Sequence, residues 1–339
     1  MSASPVIGIP LGDSAGIGPE IVAKTAVNGF LNSVCRPLII GDIRVFENAL
    51  ALIGKTVNHY PLTGNETVDW GRGIPVLDRK NQDPEKISPG KLSAGCGSAV
   101  LDMLGVACDL CRMGTIQGIC FAPLNKAAMI EAGSAFESEH GFFADKLGVS
   151  GYSGEINVLN ELSTTRITSH IPLKEVAAFI TEERVLEAIS LAHRTVSSFG
   201  IKQPRIAVAA LNPHGGENGK CGTEEIAVIG PAVRKANERG IRALGPFPAD
   251  TLFIRAFNGE FDSVVTMYHD QGQIAMKLKG FEWGVTVSGG MPYPIATPAH
   301  GTAFDIAGKG LAKTSAFESA LKLVVRMTVN KKTHSEIPD

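Results

Sequence analysis

Met267-Tyr268-His269-Asp270-Gln271-Gly272 closes an apolar, strand-like run and enters a turn; Lys277 follows, and the glycine-rich segment His300–Gly310 (HGTAFDIAGKG) lies close behind. This stretch supplies an imidazole that can ligate a metal, a lysine that can hold an anion and a loop that can lie against a cofactor. His170 and His214 share the pattern of His269, each following an apolar run and entering a turn. If the three runs are strands of one sheet, the histidines converge at one rim. Neutral imidazoles there suit a divalent ion with a coordination position left for substrate. There is no H-E-x-x-H or other short ligand pair, so the residues alone leave open a shared ion or three separate roles.

Outward from this stretch, strand and helix patterns alternate. Val6–Pro10 reads as a strand, followed by the turn Gly12–Glu20 and a helix from Ile21, with Pro19 suited to a first helical turn because its missing N–H has no partner there anyway. The turn is neither Walker A nor G-x-G-x-x-G, and it fits a tight strand-to-helix connection as well as a ligand loop. Pro37–Asp42 reads as a strand, Thr56–Gly90 as a looser polar region, Cys96–Cys111 as a helix, and Gly118–Lys126 as a strand with a polar turn at Asn125-Lys126. Glu182–Phe199 reads as a helix capped by Thr181, and Pro204–Leu211 as a strand delivering His214. Helical segments between Thr223 and Arg239 are expected to break at Gly230-Pro231. Such alternation predicts an α/β fold, with a parallel or mixed sheet covered on both faces and chemistry at the carboxyl ends of strands.

The 339 residues, 44% hydrophobic and 19% charged, suffice for one large or two medium lobes. A net charge of -2 with no basic tract argues against nucleic acid as a partner. Met1–Pro5 lacks the basic start and apolar core of a signal peptide, and no apolar run is read as long enough to span a membrane, so a cytoplasmic protein without a membrane partner is expected. Of six cysteines, Cys108 and Cys111 have zinc-like spacing but no second pair, and buried reduced thiols are the expectation.

Thr168–Leu173 (TSHIPL), Leu211–Glu217 (LNPHGGE), Pro248–Phe253 (PADTLF), Met267–Gly272 (MYHDQG), Gly301–Ala303 (GTA) and Ala15–Pro19 (AGIGP), in this order-specific set, resemble the 4-hydroxythreonine-4-phosphate dehydrogenase family of vitamin B6 biosynthesis across essentially the whole chain. The resemblance implies a two-lobed α/β/α fold of the isocitrate and isopropylmalate dehydrogenase type. It places residues 1–130 and 285–339 in one lobe and 131–284 in the other, with an active-site cleft between them. It implies a homodimer with a shared site, His170, His214 and His269 on one divalent ion (zinc, magnesium, manganese or cobalt), and His300, Gly301, Thr302, Ala303 and Asp305 beside NAD or NADP. Asp250 and Lys277 match catalytic positions near the substrate, Lys277 also holding an anionic group. The implied reaction is oxidation of a secondary hydroxyl of a hydroxy acid, with β-decarboxylation.

Departures from the family pattern fall at its phosphate-holding positions. Glu139-His140 stands where His-Thr is usual, Thr286 where Asn is expected and Ile295 where Arg is expected. With a carboxylate and an aliphatic side chain there, the expected substrate is a non-phosphorylated hydroxy acid, such as a ring dihydrodiol carboxylate. The alternative is 4-phosphothreonate, 4-phosphoerythronate or 4-hydroxythreonine 4-phosphate, with Lys126 or His140 supplying donors. From other classes, a metal-dependent hydrolase using Glu217 or Asp270 as base and a binding protein without turnover also fit the residues.

Overall fold

Strand β1 (Val6–Pro10) is the first element of the computed structural model, which describes residues 4–64 and 66–335; Met1 to Ala3, part of the N-terminal stretch read above, lie outside the described residues. The remaining strands are β2 (Arg36–Gly41), β3 (His59–Leu62), β4 (Ile74–Asp78), β5 (Gly118–Cys120), β6 (Gly154–Leu159), β7 (Leu162–Arg166), β8 (Ile206–Ala209), β9 (Ala243–Phe247), β10 (Ser263–Thr266), β11 (Val285–Gly289) and β12 (Ile295–Pro298). The helices are α1 (Gly18–Val27), α2 (Phe30–Val34), α3 (Ile43–Leu52), α4 (Ala94–Arg112), α5 (Lys126–Glu131), α6 (Glu139–Lys146), α7 (Val176–Phe179), α8 (Glu182–Ser198), α9 (Gly230–Glu238), α10 (Ala249–Phe257), α11 (His269–Gly280) and α12 (Ser315–Ser335).

The chain forms two units, Met1–Val149 with Met291–Asp339, and Ser150–Gly290. The sequence reading draws its boundaries at 130/131 and 284/285. Helix α6 belongs with the first unit because its Phe143 packs on Phe121, ring centroids 5.6 Å apart, and β11 belongs with the second because it pairs antiparallel with β6.

In the first unit the strands run in parallel in the order β3-β4-β2-β1-β5-β12. Strands β3 and β4 correct the reading of Thr56–Gly90 as loose: each is short and carries a proline, Pro61 or Pro75, which obscures a strand pattern. Helix α4 buries Cys96, Val100, Met103, Leu104, Ala107, Cys108 and Cys111 and packs on β1, β2, α5 and α6. By length and composition it is apolar enough to cross a membrane, with a mean hydropathy of 1.4, which corrects the expectation that no run reaches that length. Five cysteines are buried and free while Cys221 is exposed; burial pushes the Cys108 and Cys111 thiols up to about 12.

The second unit has the order β11-β6-β7-β10-β8-β9. Strands β6 and β7 form an antiparallel hairpin, and β7, β10, β8 and β9 run parallel. Side chains alternate across a strand, and along β8 this divides the core. Ile206 and Val208 join Val185 and Ile189 of α8 and Ala232 and Val233 of α9. Ala207 and Ala209 join Leu252 and Phe253 of α10 and Met276 of α11. Each branched or aromatic side chain so buried contributes about 1.5–3 kcal/mol. Thr181 caps α8 by accepting from the Arg184 amide at 3.3 Å. The expected break at Gly230-Pro231 is absent: a π-helical turn, Glu225–Ile229, leads directly into α9, with the Gly230 amide donating to the Glu225 carbonyl five residues back and Pro231 in the first turn of α9.

Candidate functional site

Strands β7, β10 and β8 are neighbours and parallel, so their carboxyl ends lie along one edge of the second unit. His170 follows β7, His269 opens α11 after β10, and His214 lies in the loop after β8. The rings of His170 and His269 are 6.0 Å apart between centroids and inclined at 45°. Two imidazoles sharing one tetrahedral ion have centroids about 5–6 Å apart, given metal–nitrogen distances near 2.0–2.1 Å. His269 Nδ1 lies 2.7 Å from Asp270 Oδ1, an arrangement that places the proton on Nδ1 and leaves the Nε2 lone pair for a ligand. His214 is not gathered with this pair: among the described residues no three His, Cys, Asp or Glu side chains are grouped to hold an ion. The structure thus brings together two of the three expected ligands within one chain.

The loop carrying His214 is left-handed, with φ of 54°, 65°, 77°, 47° and 56° at His214, Gly215, Gly216, Glu217 and Asn218. A buried carboxylate fixes it: Glu225 Oε1 accepts from the Leu211 amide at 2.9 Å and the Asn212 amide at 2.7 Å, and Oε2 accepts from Asn212 Nδ2 at 3.1 Å. Gly216 is required, since a Cβ would meet Glu225 Oε2 at 2.6 Å. Gln271 ties the start of α11 to the same region, accepting from the Met267 amide and donating to the Ala210 carbonyl, both at 2.7 Å.

Lys277 is exposed on α11, two turns beyond His269 and on the same flank, about 12 Å along the axis. Asp250 is exposed in the first turn of α10. The Thr286 hydroxyl accepts from Asn157 Nδ2 at 3.1 Å.

The other expected residues belong to the first unit. Glu139 begins α6, where Ser138 Oγ caps the helix by accepting from Gly141 N at 3.3 Å. Its carboxylate is not a bare negative charge, because Lys126 Nζ stands 3.2 Å from Oε2. His140 is partly buried beside it. Ile295 is corrected as a substrate contact: it is 0% exposed in β12, paired with Ile119 of β5, and offers no surface to a ligand.

The segment around His300, Gly301, Thr302, Ala303 and Asp305 is held against the turn after β1. The Thr302 carbonyl accepts from the Ile17 amide at 3.1 Å. Lys24 Nζ donates to the Gly310 and Ala312 carbonyls at 2.8 and 2.7 Å, and Glu20 Oε1 accepts from the Ala312 amide at 2.7 Å. A Cβ on Gly16 would lie 2.7 Å from Thr302 Cβ, so glycine permits the close approach. Asp305 and Gly301 stay exposed, and Lys309 Nζ donates to the Asp305 carbonyl at 2.7 Å. A cavity of about 250 Å³ opens beside Gly308, lined also by Ser14, Pro19, Glu20, Asn48 and Ile87. In the same turn, burial pushes the Asp13 carboxyl up despite the bond it accepts from the Ala15 amide at 2.9 Å. The turn Gly12–Glu20 fits two readings on its sequence alone, and Glu20, Lys24 and Glu225 carry no local sequence signal because their partners lie elsewhere in the chain.

A family model described as "Pyridoxal phosphate biosynthetic protein PdxA" matches residues 33–324. The chain is 40% identical over 319 residues to the D-threonate 4-phosphate dehydrogenase of Cupriavidus necator, covering 94% of this chain and 96% of the relative. Among solved structures, a 4-hydroxythreonine-4-phosphate dehydrogenase from Klebsiella pneumoniae is 33% identical with a TM-score of 0.83, covering 97% of this chain and 99% of that one. A terephthalate 1,2-cis-dihydrodiol dehydrogenase from Burkholderia xenovorans is 26% identical with a TM-score of 0.67, covering 95% and 98%.

Proposed function

Because the chain belongs to the family of the pyridoxal phosphate biosynthetic protein PdxA, we propose that it is an NAD- or NADP-dependent dehydrogenase requiring one divalent metal ion. Its substrate on this reading is a 4-phosphorylated hydroxy acid of the threonate or hydroxythreonine type, oxidised at a secondary hydroxyl β to a carboxylate, with decarboxylation following. The observation that carries the reading is the His170–His269 pair, 6.0 Å apart at the strand ends.

The phosphate ester replaces the dihydrodiol carboxylate expected from the sequence. Two arguments against a phosphate lose their force, since Ile295 is buried and Lys126 offsets the Glu139 charge. The relatives named for 4-phosphate substrates are also the more similar, at 40% and 33% identity against 26% for the dihydrodiol enzyme.

A divalent ion on these imidazoles and a bound nicotinamide supply Lewis acidity toward the hydroxyl and an acceptor for hydride. The chain's own part is to position and to move protons. Asp270 fixes the His269 tautomer through the 2.7 Å contact. Asp250 accepts the hydroxyl proton, and Lys277 holds an anionic group of the substrate. His300 to Asp305 hold the dinucleotide, with part of it in the cavity beside Gly308.

We assign the third metal ligand to a second copy, so that His214 of the partner subunit completes the pair. Support comes from α11, which starts at His269 and exposes Ile274 and Leu278, at 57% and 85%, followed by Trp283 at 54%. An apolar row of this kind fits a homodimer contact. Mixing two inactive variants, His214→Ala and His269→Ala, tests the assignment. Each alone should lose metal and turnover, and the mixed dimer should regain activity at one of its two sites. Full activity of either variant alone, or no recovery after verified subunit exchange, would refute it.

A further inference from the structure

Beneath α11, strands β11, β6 and β7 carry a partly buried polar cluster whose central residue none of the roles above uses. Cross-strand register puts Thr286 opposite Asn157, Ser288 opposite Glu155, and Asn157 opposite Thr164, so these residues and Arg166 share one face. Arg166, with a side chain only 8% exposed, is its centre. Its Nη2 donates to Glu155 Oε2 at 2.7 Å, its Nη1 to Asn157 Oδ1 at 2.9 Å and its Nε to Ser169 Oγ at 2.9 Å. Asn157 Oδ1 also accepts from Gln273 Nε2.

The two ends of this network are informative. Ser169 directly precedes His170, and Gln273 lies one helical turn beyond His269 on the same flank of α11. Asn157 Oδ1 is therefore an acceptor shared between the segment that carries one histidine and the helix that begins with the other. A buried ion pair is seldom the most stable way to fill such a space, because apolar side chains of similar volume often serve as well or better. Stability alone thus gives a weak reason for Arg166, whereas its three directed bonds fix the positions of named neighbours. We propose that Arg166, with Asn157, is a positioning group that sets the spacing of His170 and His269 for a divalent ion, acting through Ser169 at one end and Gln273 at the other.

This rests on the metal reading above, and the test separates the two. Zinc affinity is measured by competition with a chromophoric chelator on the full-length protein, stripped of metal and reloaded, alongside the thermal midpoint. Ser169→Ala removes only the His170 end, and Gln273→Met only the His269 end. Each should weaken zinc about 10–100-fold, the usual effect of losing a group that orients a metal ligand. The thermal midpoint should stay within about 2 °C of wild type. Ser169→Thr, which keeps the hydroxyl, should retain wild-type affinity. Arg166→Met should weaken zinc at least as far, and if it fails to fold the end variants decide. If wild type binds no zinc, or His269→Ala binds it as well as wild type, the metal reading itself fails. If wild type binds zinc, His269→Ala loses it, and either end variant stays within threefold of wild type, the positioning role is overturned.

Discussion

Replacing Glu225 with Gln probes how the His214 loop is held. Glu225 is 5% exposed and receives three bonds, two from backbone amides at 2.7 and 2.9 Å and one from Asn212 Nδ2 at 3.1 Å. The loop it anchors holds three non-glycine residues, His214, Glu217 and Asn218, at φ of 54°, 47° and 56°. Each costs about 1–2 kcal/mol against right-handed backbone, so the segment opposes folding by roughly 3–6 kcal/mol unless fixed. Bonds to a charged acceptor contribute about 1.5–3 kcal/mol each, enough to offset it. A glutamine keeps one oxygen for the two amides but turns an NH₂ group toward Asn212 Nδ2. The charge is lost, and a buried donor faces a donor at a cost of about 1–3 kcal/mol. Glu225→Gln should therefore destabilise the protein by roughly 2–5 kcal/mol. As the loop relaxes, the zinc affinity of the protein should also fall by at least about tenfold. Urea unfolding monitored by fluorescence and far-UV dichroism measures the first, chelator competition the second. A variant within about 0.5 kcal/mol of wild type, with undiminished affinity, would refute the reasoning.

Two further outcomes are expected. Gly16→Ala places a methyl 2.7 Å from Thr302 Cβ and 2.9 Å from its carbonyl oxygen; overpacking of this kind costs about 1–3 kcal/mol. The KM for the dinucleotide should rise about tenfold, equivalent to about 1.4 kcal/mol, and an unchanged KM would separate the loop from cofactor binding. For Asp262, burial acts to raise the carboxyl, but bonds from Arg205, from Nη2 at 2.8 Å, Nε at 3.0 Å and the backbone amide at 2.7 Å, outweigh it and hold the group below its usual value. The stabilisation is then present above the unfolded-state value of about 3.9 and is lost as pH falls through the lower folded value. Asp262→Asn should lower the urea midpoint at pH 7, with the gap to wild type closing at acid pH; a gap independent of pH would contradict this.

The strand-end histidines were legible because each follows an apolar run and enters a turn, a pattern local enough to read. Their grouping was not. His170 and His269 meet because β7 and β10 are neighbours, while His214 sits on a left-handed loop whose anchor, Glu225, reads locally as one more helical glutamate. Strands β3 and β4 were hidden by Pro61 and Pro75. The turn Gly12–Glu20 stayed ambiguous because Gly16 answers to Thr302 and Lys24 to Gly310, near the far end of the chain. The expectation of a non-phosphorylated substrate leaned on residues whose surroundings are likewise set by distant parts of the chain. A one-dimensional comparison treats Ile295 as facing a ligand when it is buried, and counts the charge of Glu139 without Lys126 beside it.

Steady-state oxidation of D-threonate 4-phosphate and of 4-hydroxythreonine 4-phosphate, with NAD and with NADP and with zinc, magnesium, manganese or cobalt added, tests the central claim most directly. At least one ester should reduce the dinucleotide with kcat/KM of roughly 10⁴ M⁻¹s⁻¹ or more, and His269→Ala should abolish the reaction. Oxidation of a dihydrodiol carboxylate with neither ester turned over, or phosphate release without reduction of the dinucleotide, would contradict it.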